Sequence, residues 1–399
     1  MTAGEPEIVV VGGGPAGCAT AIFLKERGHD VLLVDEARFP RDKVCGEGVS
    51  PGAWRLLGAM GAEGRVRALR PHPLRGMRLT APDGTSFAGE YGAAREPGFA
   101  LRRADLDLAL IETARDRGVD VLEETRAVDL RMEHGAVSGL TIARPDGGLA
   151  TLRARLVIGA DGRRSMVGRR LGLLREHGWL RKFAVRGHWE GVLGLSDYGE
   201  MHVGGGGYCG IAPLSASVAN VAFVLDRREM AGAAGNVEAF YRTELRRWPR
   251  IADRLARARL LAPPKAIGPL ALVARRVSAP GVMLVGDAAG FYDPFTGEGV
   301  TLALRGGEMA AEVASRALRA GDTRDLSAYD RARDRATRHK FRLNRRLQSV
   351  VRWPALSNAV AARLARRPDL ADQLVGIAGD LVSARQALGP RFLWSLLGS

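Results

Sequence analysis

Near the start of the chain a short β-branched apolar run, Ile8 to Val11, stops at a glycine, after which the hydrophobic period changes. From Pro15 to Arg27 the apolar positions suit a helix that ends at Gly28, and Val31 to Val34 forms a second apolar run. The alternation returns twice. Leu156 to Gly159 runs into Ala160-Asp161-Gly162, with a helix beginning at Ser165 and carrying Val167 and Leu171. Val282 to Val285 runs into Gly286-Asp287-Ala288-Ala289-Gly290, and a long helix follows from Val300. Strands that end in glycine and lead into helices predict an α/β fold.

The middle of the chain follows a different pattern. Arg75 to Phe87, Phe183 to Glu190, Gly199 to Val203, Tyr208 to Ile211 and Val218 to Leu225 alternate in the manner of strands, which predicts a second sheet. Asn236 to Arg247 and Pro249 to Ala258 read as helices within that region. From Leu326 to Leu397 the period is helical, with breaks expected at Pro354, Pro368 and Pro390. No internal repeat or low-complexity linker occurs.

Between the first two strands lies Gly12-Gly13-Gly14-Pro15-Ala16-Gly17, a G-x-G-x-x-G in strand, turn and helix context. Each glycine has a physical task. Gly12 permits the tight turn, Gly14 lets backbone N–H groups approach a pyrophosphate, and Gly17 allows close helix packing, while the helix N-terminus stabilises the anion. Asp35, followed by Glu36, closes the second strand about 20 positions on, where a carboxylate accepts hydrogen bonds from a ribose hydroxyl. This is a Rossmann-type dinucleotide site. The motif alone leaves NAD and FAD both open.

Asp161 and Asp287 each stand just past the carboxyl end of a strand, where ligands bind in open α/β sheets. A carboxylate there can hold a ribitol or ribose hydroxyl, while Gly297 and Gly299 let backbone amides approach a ring system at a helix N-terminus.

Together, the glycine motif at Gly12 to Gly17, the G-A-D-G at Gly159 to Gly162 and the G-D at Gly286-Asp287 resemble the FAD-dependent oxidoreductases that include para-hydroxybenzoate hydroxylase, flavin-dependent halogenases and geranylgeranyl reductases. The resemblance covers roughly residues 5 to 330 and implies FAD as the cofactor. It implies that Gly12, Gly14, Pro15, Ala16 and Gly17 meet the pyrophosphate, Asp35 the adenosine ribose, Asp287 beside Gly286 the ribitol, and Gly297 to Val300 the isoalloxazine. Arg103 matches the family arginine near the FAD diphosphate. Pro40 to Pro51 and Pro294 to Gly299 are similar to the geranylgeranyl reductase branch, which would bring Cys45 and Gly46 near the flavin. For Cys45, a small thiol packed on a loop is an equally good reading.

The substrate segment departs from the family. Tyr208-Cys209-Gly210-Ile211-Ala212-Pro213 stands where geranylgeranyl reductases resemble Y-x-W-x-F-P and halogenases W-x-W-x-I-P. Gly210 and Ala212 replace the large residues, the tryptophan pair is missing, and no halogenase lysine is identifiable. These departures argue against halogenation and predict a wider cavity beside the flavin.

The architecture expected is a discontinuous FAD-binding domain of residues 1–75, 98–174 and 268–321, a substrate domain of 76–97 and 175–267, and a helical C-terminal region of 322–399. Bound flavin supplies the electrons, so few protein groups are obligatory. Glu47, Tyr208 and Glu298 are the polar candidates for acid, base or hydrogen-bonding roles, whereas the histidines, His188 and His202 included, lack a partner spacing that marks a base or ligand. The reading favours a monooxygenase acting on a bulky aromatic or polyketide substrate with NAD(P)H and O2. The alternative is an ene-reductase acting on an isoprenoid or quinone, and a non-catalytic flavin binder is the third class. Without a second G-x-G-x-x-G, NAD(P)H would bind transiently, or another protein would reduce the flavin.

Composition changes this picture little. A formal charge of +15 invites a nucleic-acid reading, but the arginines are dispersed. Their densest cluster, Arg331 to Arg346, has the spacing of a solvated charged helix with one apolar stripe through Phe341 and Leu343. Cys18, Cys45 and Cys209 show neither zinc spacing nor a disulfide framework. With no run approaching the roughly 18 apolar residues of a membrane span, the expectation is a cytoplasmic monomer or homodimer with no metal. The helical tail could cap the site, form a dimer contact or lie on a membrane surface.

Overall fold

A computed structural model describes residues 5–92, 95–178, 180–204, 206–230, 235–382 and 385. The four apolar runs predicted as strands form the middle of one six-stranded sheet, in the order Ser278–Ala279, Val282–Leu284, Leu156–Gly159, Ile8–Val11, Val31–Val34, Asp120–Leu122. All neighbours but the Ser278–Ala279 edge strand pair in parallel. Because both faces are covered, Ile8–Val11 and Leu156–Gly159 are buried along their whole length, which is why they read as unbroken apolar runs.

From Ile8–Val11 the chain moves to one side, through Val31–Val34 and Asp120–Leu122, and then returns to Leu156–Gly159 on the other side. That reversal opens a crevice at the carboxyl end of the first strand. The loops Gly12–Gly17 and Ala160–Gly162 meet there. One sheet face carries the helix Pro15–Lys25 packed on the helix Gly299–Arg319. A Cβ at Gly307 would fall 2.7 Å from Ala19 Cβ and 2.8 Å from Thr20 N, so this helix crossing has no room for a side chain there.

The second sheet has eight strands and runs in the order Arg259–Leu260, Lys182–Glu190, Val218–Asp226, Gly207–Pro213, Tyr198–Gly204, Gly76–Thr80, Ser86–Glu90, with Lys265–Ile267 also paired to Lys182–Glu190. One expected element divides. Arg75 to Phe87 is a hairpin of two strands, because Pro82-Asp83-Gly84 turns the chain and Gly84 adopts φ +93°. The outer face of this sheet is covered by Val237–Arg246 and Pro249–Leu255, whose Tyr241, Trp248 and Ile251 join Phe223 and Trp189 in a separate core. A further three-stranded sheet, Arg126–Glu133, Ala136–Ala143 and Leu149–Arg153, was not anticipated.

The tail forms helices Ser327–Arg352, Pro354–Ala365 and Pro368–Ala378. Pro354 and Pro368 begin their helices, where a fixed φ and a missing N–H cost nothing. Pro390 lies outside the described residues. The Arg331 to Arg346 cluster is helical as expected, but its inward stripe differs. Beside Leu343 the buried positions include Thr337, Lys340 and Asn344, with Gln348 one turn further on, so this face mixes polar groups with the apolar ones.

Candidate functional site

Two glycines of the first turn are dictated by contact. At Gly12, with φ +104°, a Cβ would sit 2.6 Å from Ala160 O, and at Gly17 it would sit 1.8 Å from Gly12 O. The turn can therefore close only without side chains, and it leaves Gly14, Pro15 and Ala16 lining the crevice at the start of a helix. Asp35 braces the turn from behind. Its Oδ2 accepts the Gly13 N–H at 2.6 Å and its Oδ1 the Ala37 N–H at 2.8 Å. Glu36 is exposed and stands apart from the crevice lining.

Positive charge gathers along the same wall. Arg103 holds Asp107 through Nε and Nη2 at 2.8 and 2.7 Å, and Arg41 Nη1 reaches the same carboxylate at 2.9 Å. Burial opposes the charge of Arg103, but Asp107 outweighs it and keeps the guanidinium protonated. Lys43 and Arg163 also line the crevice, and for each burial lowers the pKa. Arg163 Nη1 has no hydrogen-bond partner. Four cations against the carboxylates of Asp107, Asp287 and Asp35, the last 3.9 Å from Arg41, leave a net positive site that favours an anionic group. Of the four, sequence reasoning singled out only Arg103. Arg41 and Lys43 follow the second strand and Arg163 the third, a placement that would have been the signal.

Asp287 lines the crevice, with Arg163 as its nearest cation. Asp161 requires correction. Its Oδ2 accepts the N–H groups of Met166 and Val167 at 2.7 and 3.2 Å, so the carboxylate caps the start of helix Met166–Arg170 and does not line the crevice. Burial raises its pKa.

Further along, Pro294, Gly297, Gly299 and Val300 form one side of the crevice, with Gly286 beneath and Cys45, Gly46 and Glu47 opposite. Gly297 adopts φ +68° and delivers the chain into the helix Gly299–Arg319. The crevice has a cavity volume of about 210 Å³ and opens to solvent. Its far end is apolar, walled by Leu74, Met77, Met201, Val224 and Leu270. At Gly210 a Cβ would make only ordinary contacts, with Met201 Cε at 3.8 Å, Glu200 O at 3.9 Å and Met201 Sδ at 4.0 Å, so a side chain could start there without a clash.

None of the three polar candidates is a free acid or base. Glu47, at φ +62°, accepts the Arg103 N–H at 3.1 Å and Asn220 Nδ2 at 2.9 Å. His188 Nε2 lies 2.7 Å from the same carboxylate. Arg186 Nη1 donates to Nδ1 of His188 at 3.1 Å, which leaves Nε2 to donate to Glu47. Thus Glu47 joins the cysteine loop to the second sheet. The partner of His188 was not legible because it is 141 residues away. His202 likewise finds Glu200 at 2.9 Å.

Tyr208 donates its O–H to Asp293 Oδ1 at 2.6 Å, and burial followed by the Asp293 charge pushes the phenol pKa up. Asp293 is itself buried, which raises its pKa against the pull of Lys182, 3.6 Å from Oδ2. Gln348 Nε2 donates to Asp293 Oδ1 at 2.8 Å, Asn344 Nδ2 donates to its backbone carbonyl at 3.0 Å, and Lys182 binds Gln348 Oε1. Glu298 does not line the large crevice. It pairs with Lys340, whose Nζ also lies 2.8 Å from Asp380 Oδ1. The loop from Asp293 to Glu298 is therefore held by the tail helix Ser327–Arg352.

A narrow glycine turn, a cationic wall, an available carboxylate and a glycine-bounded chamber in series fit an elongated dinucleotide with a fused ring. A family model described as FAD binding domain matches residues 5–342. The chain belongs to this family of FAD-dependent oxidoreductases.

Among its curated relatives is a digeranylgeranylglycerophospholipid reductase of Methanothrix thermoacetophila, 34% identical over 344 residues that cover 82% of each chain. A menaquinone reductase of Mycolicibacterium smegmatis is 29% identical, covering 98% of this flavoprotein and 96% of the relative. Among solved structures, a geranylgeranyl bacteriochlorophyll reductase-like protein from Thermoplasma acidophilum aligns with TM-score 0.75 at 24% identity, covering 98% and 96% of the two chains. The flavin-dependent brominase Bmp2 aligns with TM-score 0.82 at 20% identity, covering 94% and 93%. At these identities the solved structures establish a shared fold.

Proposed function

We propose that this flavoprotein saturates carbon–carbon double bonds in an isoprenoid chain carried by a lipid or quinone. The observation that carries the reading is the apolar end of the crevice, where Met77, Met201, Val224 and Leu270 line the space beside Gly210, which carries no side chain. An extended hydrocarbon needs such a wall and few polar groups. The open space also underlies the expectation of a bulky aromatic substrate. It suits a prenyl chain equally, and the named relatives, a phospholipid reductase and a menaquinone reductase, favour reduction over hydroxylation.

On this reading the diphosphate of FAD lies on the turn Gly12–Gly17 facing Arg41, Lys43 and Arg103, its ribitol beside Asp287, and its ring against Pro294, Gly297, Gly299 and Val300. Segments 1–75, 98–174 and 268–321 bind the flavin, 76–97 and 175–267 hold the substrate, and 322–399 braces the flavin loop. Bound and reduced, the flavin supplies two electrons to each double bond. Two protons complete each saturation, and NAD(P)H or a protein donor restores the electrons. The protein excludes water from the apolar end, orients the chain, and fixes the loop through Tyr208, Asp293 and Gln348.

The deciding experiment is a single turnover of chemically reduced enzyme under strict anaerobiosis with menaquinone or an unsaturated isoprenoid phospholipid. The expected product has gained two hydrogens. A product formed only with O2 and containing one labelled oxygen atom would reject the reductase in favour of hydroxylation.

A further inference from the structure

The helix Ser327–Arg352 has two faces of opposite character. Inward, Leu347 and Val351 pack with Met201, Tyr208 and Phe295, two of which line the crevice. Outward, Arg335, Arg338, Arg342, Arg345, Arg346 and Arg352 are exposed, at spacings that put them on one stripe. Among the described residues no ion pair involves Arg342, Arg345, Arg346 or Arg352. From Arg335 to Arg367 the sequence has ten lysines and arginines and no aspartate or glutamate. The stripe ends at a helix corner where Arg352, Trp353, Pro354, Ala355 and Leu356 are all exposed, Trp353 at 63% and Leu356 at 36%.

We propose that this corner docks on an anionic lipid bilayer, with Trp353 and Leu356 entering the interface and the arginine stripe facing the headgroups. An unpaired arginine row alone would suit any polyanion. The exposed tryptophan and leucine at its end select a bilayer, because an indole is most stable at the boundary between headgroups and acyl chains. Among the described residues no helix is long and apolar enough to cross a membrane, so the contact is with the surface. It would set the wall of the crevice beside the membrane. The proposal rests on exposure and charge and stands whichever reaction the crevice performs.

The test is sedimentation of the FAD-loaded full chain with vesicles of phosphatidylcholine alone and of phosphatidylcholine mixed with phosphatidylglycerol. Binding is expected only to the mixed vesicles. Each arginine near an anionic surface contributes about fivefold, so Arg345→Gln, Arg346→Gln and Arg352→Gln together should weaken partition roughly 100-fold. Trp353→Ser with Leu356→Ser should weaken it on the order of tenfold. Both variants change exposed positions, and unchanged FAD content and melting temperature check their folding. Equal partition by wild type and variants, equal binding to both vesicle types, or no binding by wild type would each overturn the proposal. So would a dimer in solution that Trp353→Ser dissolves while vesicle binding persists, since a second copy would then cover the corner.

Discussion

Oδ2 of Asp287 stands 3.9 Å from Nε of Arg163, close enough to be steered by its charge and too far to be tied by a hydrogen bond. The carboxylate is thus available to a ligand hydroxyl, whereas Asp161 has its Oδ2 held by two backbone amides. Asp287→Ala is expected to weaken FAD binding at least about tenfold, the effect of one hydrogen bond to a charged group. Asp161→Ala should retain FAD and lose about 1 kcal/mol of stability through its helix cap. Fluorescence titration of apoprotein with FAD, alongside urea unfolding of each variant, separates the two. Equal FAD affinity in both variants and wild type would contradict the assignment.

Tyr208 supplies one of the donors that satisfy buried Asp293. Tyr208→Phe keeps the ring against Phe295 and removes that donor, so unfolding should shift by about 2 kcal/mol. The urea midpoint should fall with its slope unchanged, and FAD should remain bound. An unchanged midpoint would show that the hydroxyl contributes nothing to the loop.

Glu200 gives the fold an acid-sensitive point. Burial would raise its pKa, but hydrogen bonds from His202 and from Arg254, at 2.6 and 3.0 Å, outweigh burial and hold the carboxyl below its ordinary range. A depressed folded-state pKa stabilises the protein above the unfolded value of about 4.3, and that contribution is lost as pH falls through the folded value. Glu200→Gln should be about 3 kcal/mol less stable near neutrality, with the gap narrowing as the solution is acidified below about pH 4.3. Urea unfolding across that range checks the sign, and a gap independent of pH would refute it.

Gly210 has room for a Cβ, with no atom closer than 3.8 Å to that position. Gly210→Trp should fill part of the crevice and raise KM for a long prenyl substrate on the order of tenfold or more, a penalty typical of overpacking a fitted site. FAD content should not change. Steady-state kinetics with short and long chains tests this, and equal effects on both would argue against a chain lying there.

The flavin-binding half was legible because its constraints are local. Gly12, Gly14 and Gly17 lie within six residues of one another, and Asp287 directly follows the strand that places it. The polar candidates were found by type and position, but their hydrogen-bond partners were not, since those of Glu47 and Tyr208 come from 141 and 85 residues away. Sequence spacing cannot pair such groups. The tail helix offered a readable signal that was passed over: Lys340, Asn344 and Gln348 recur every fourth residue, which puts three long polar side chains on one face. The arginines around them made the whole helix look solvated. Choice of reaction was least legible, because Gly210 and Ala212 specify an absence of bulk rather than a chemical group.

The same three side chains have a consequence for how the protein comes into being. Lys340, Asn344 and Gln348 secure Glu298 and Asp293 from a helix that follows them in the chain by 42 to 55 residues. During synthesis the glycine turn, the cationic wall and the Asp287 strand all emerge first, and the loop from Asp293 to Glu298, proposed above to face the ring, is left without its fasteners until that helix has cleared the ribosome. Nascent chains can therefore meet the nucleotide end of the cofactor early, but a fully seated ring must wait for nearly the whole polypeptide.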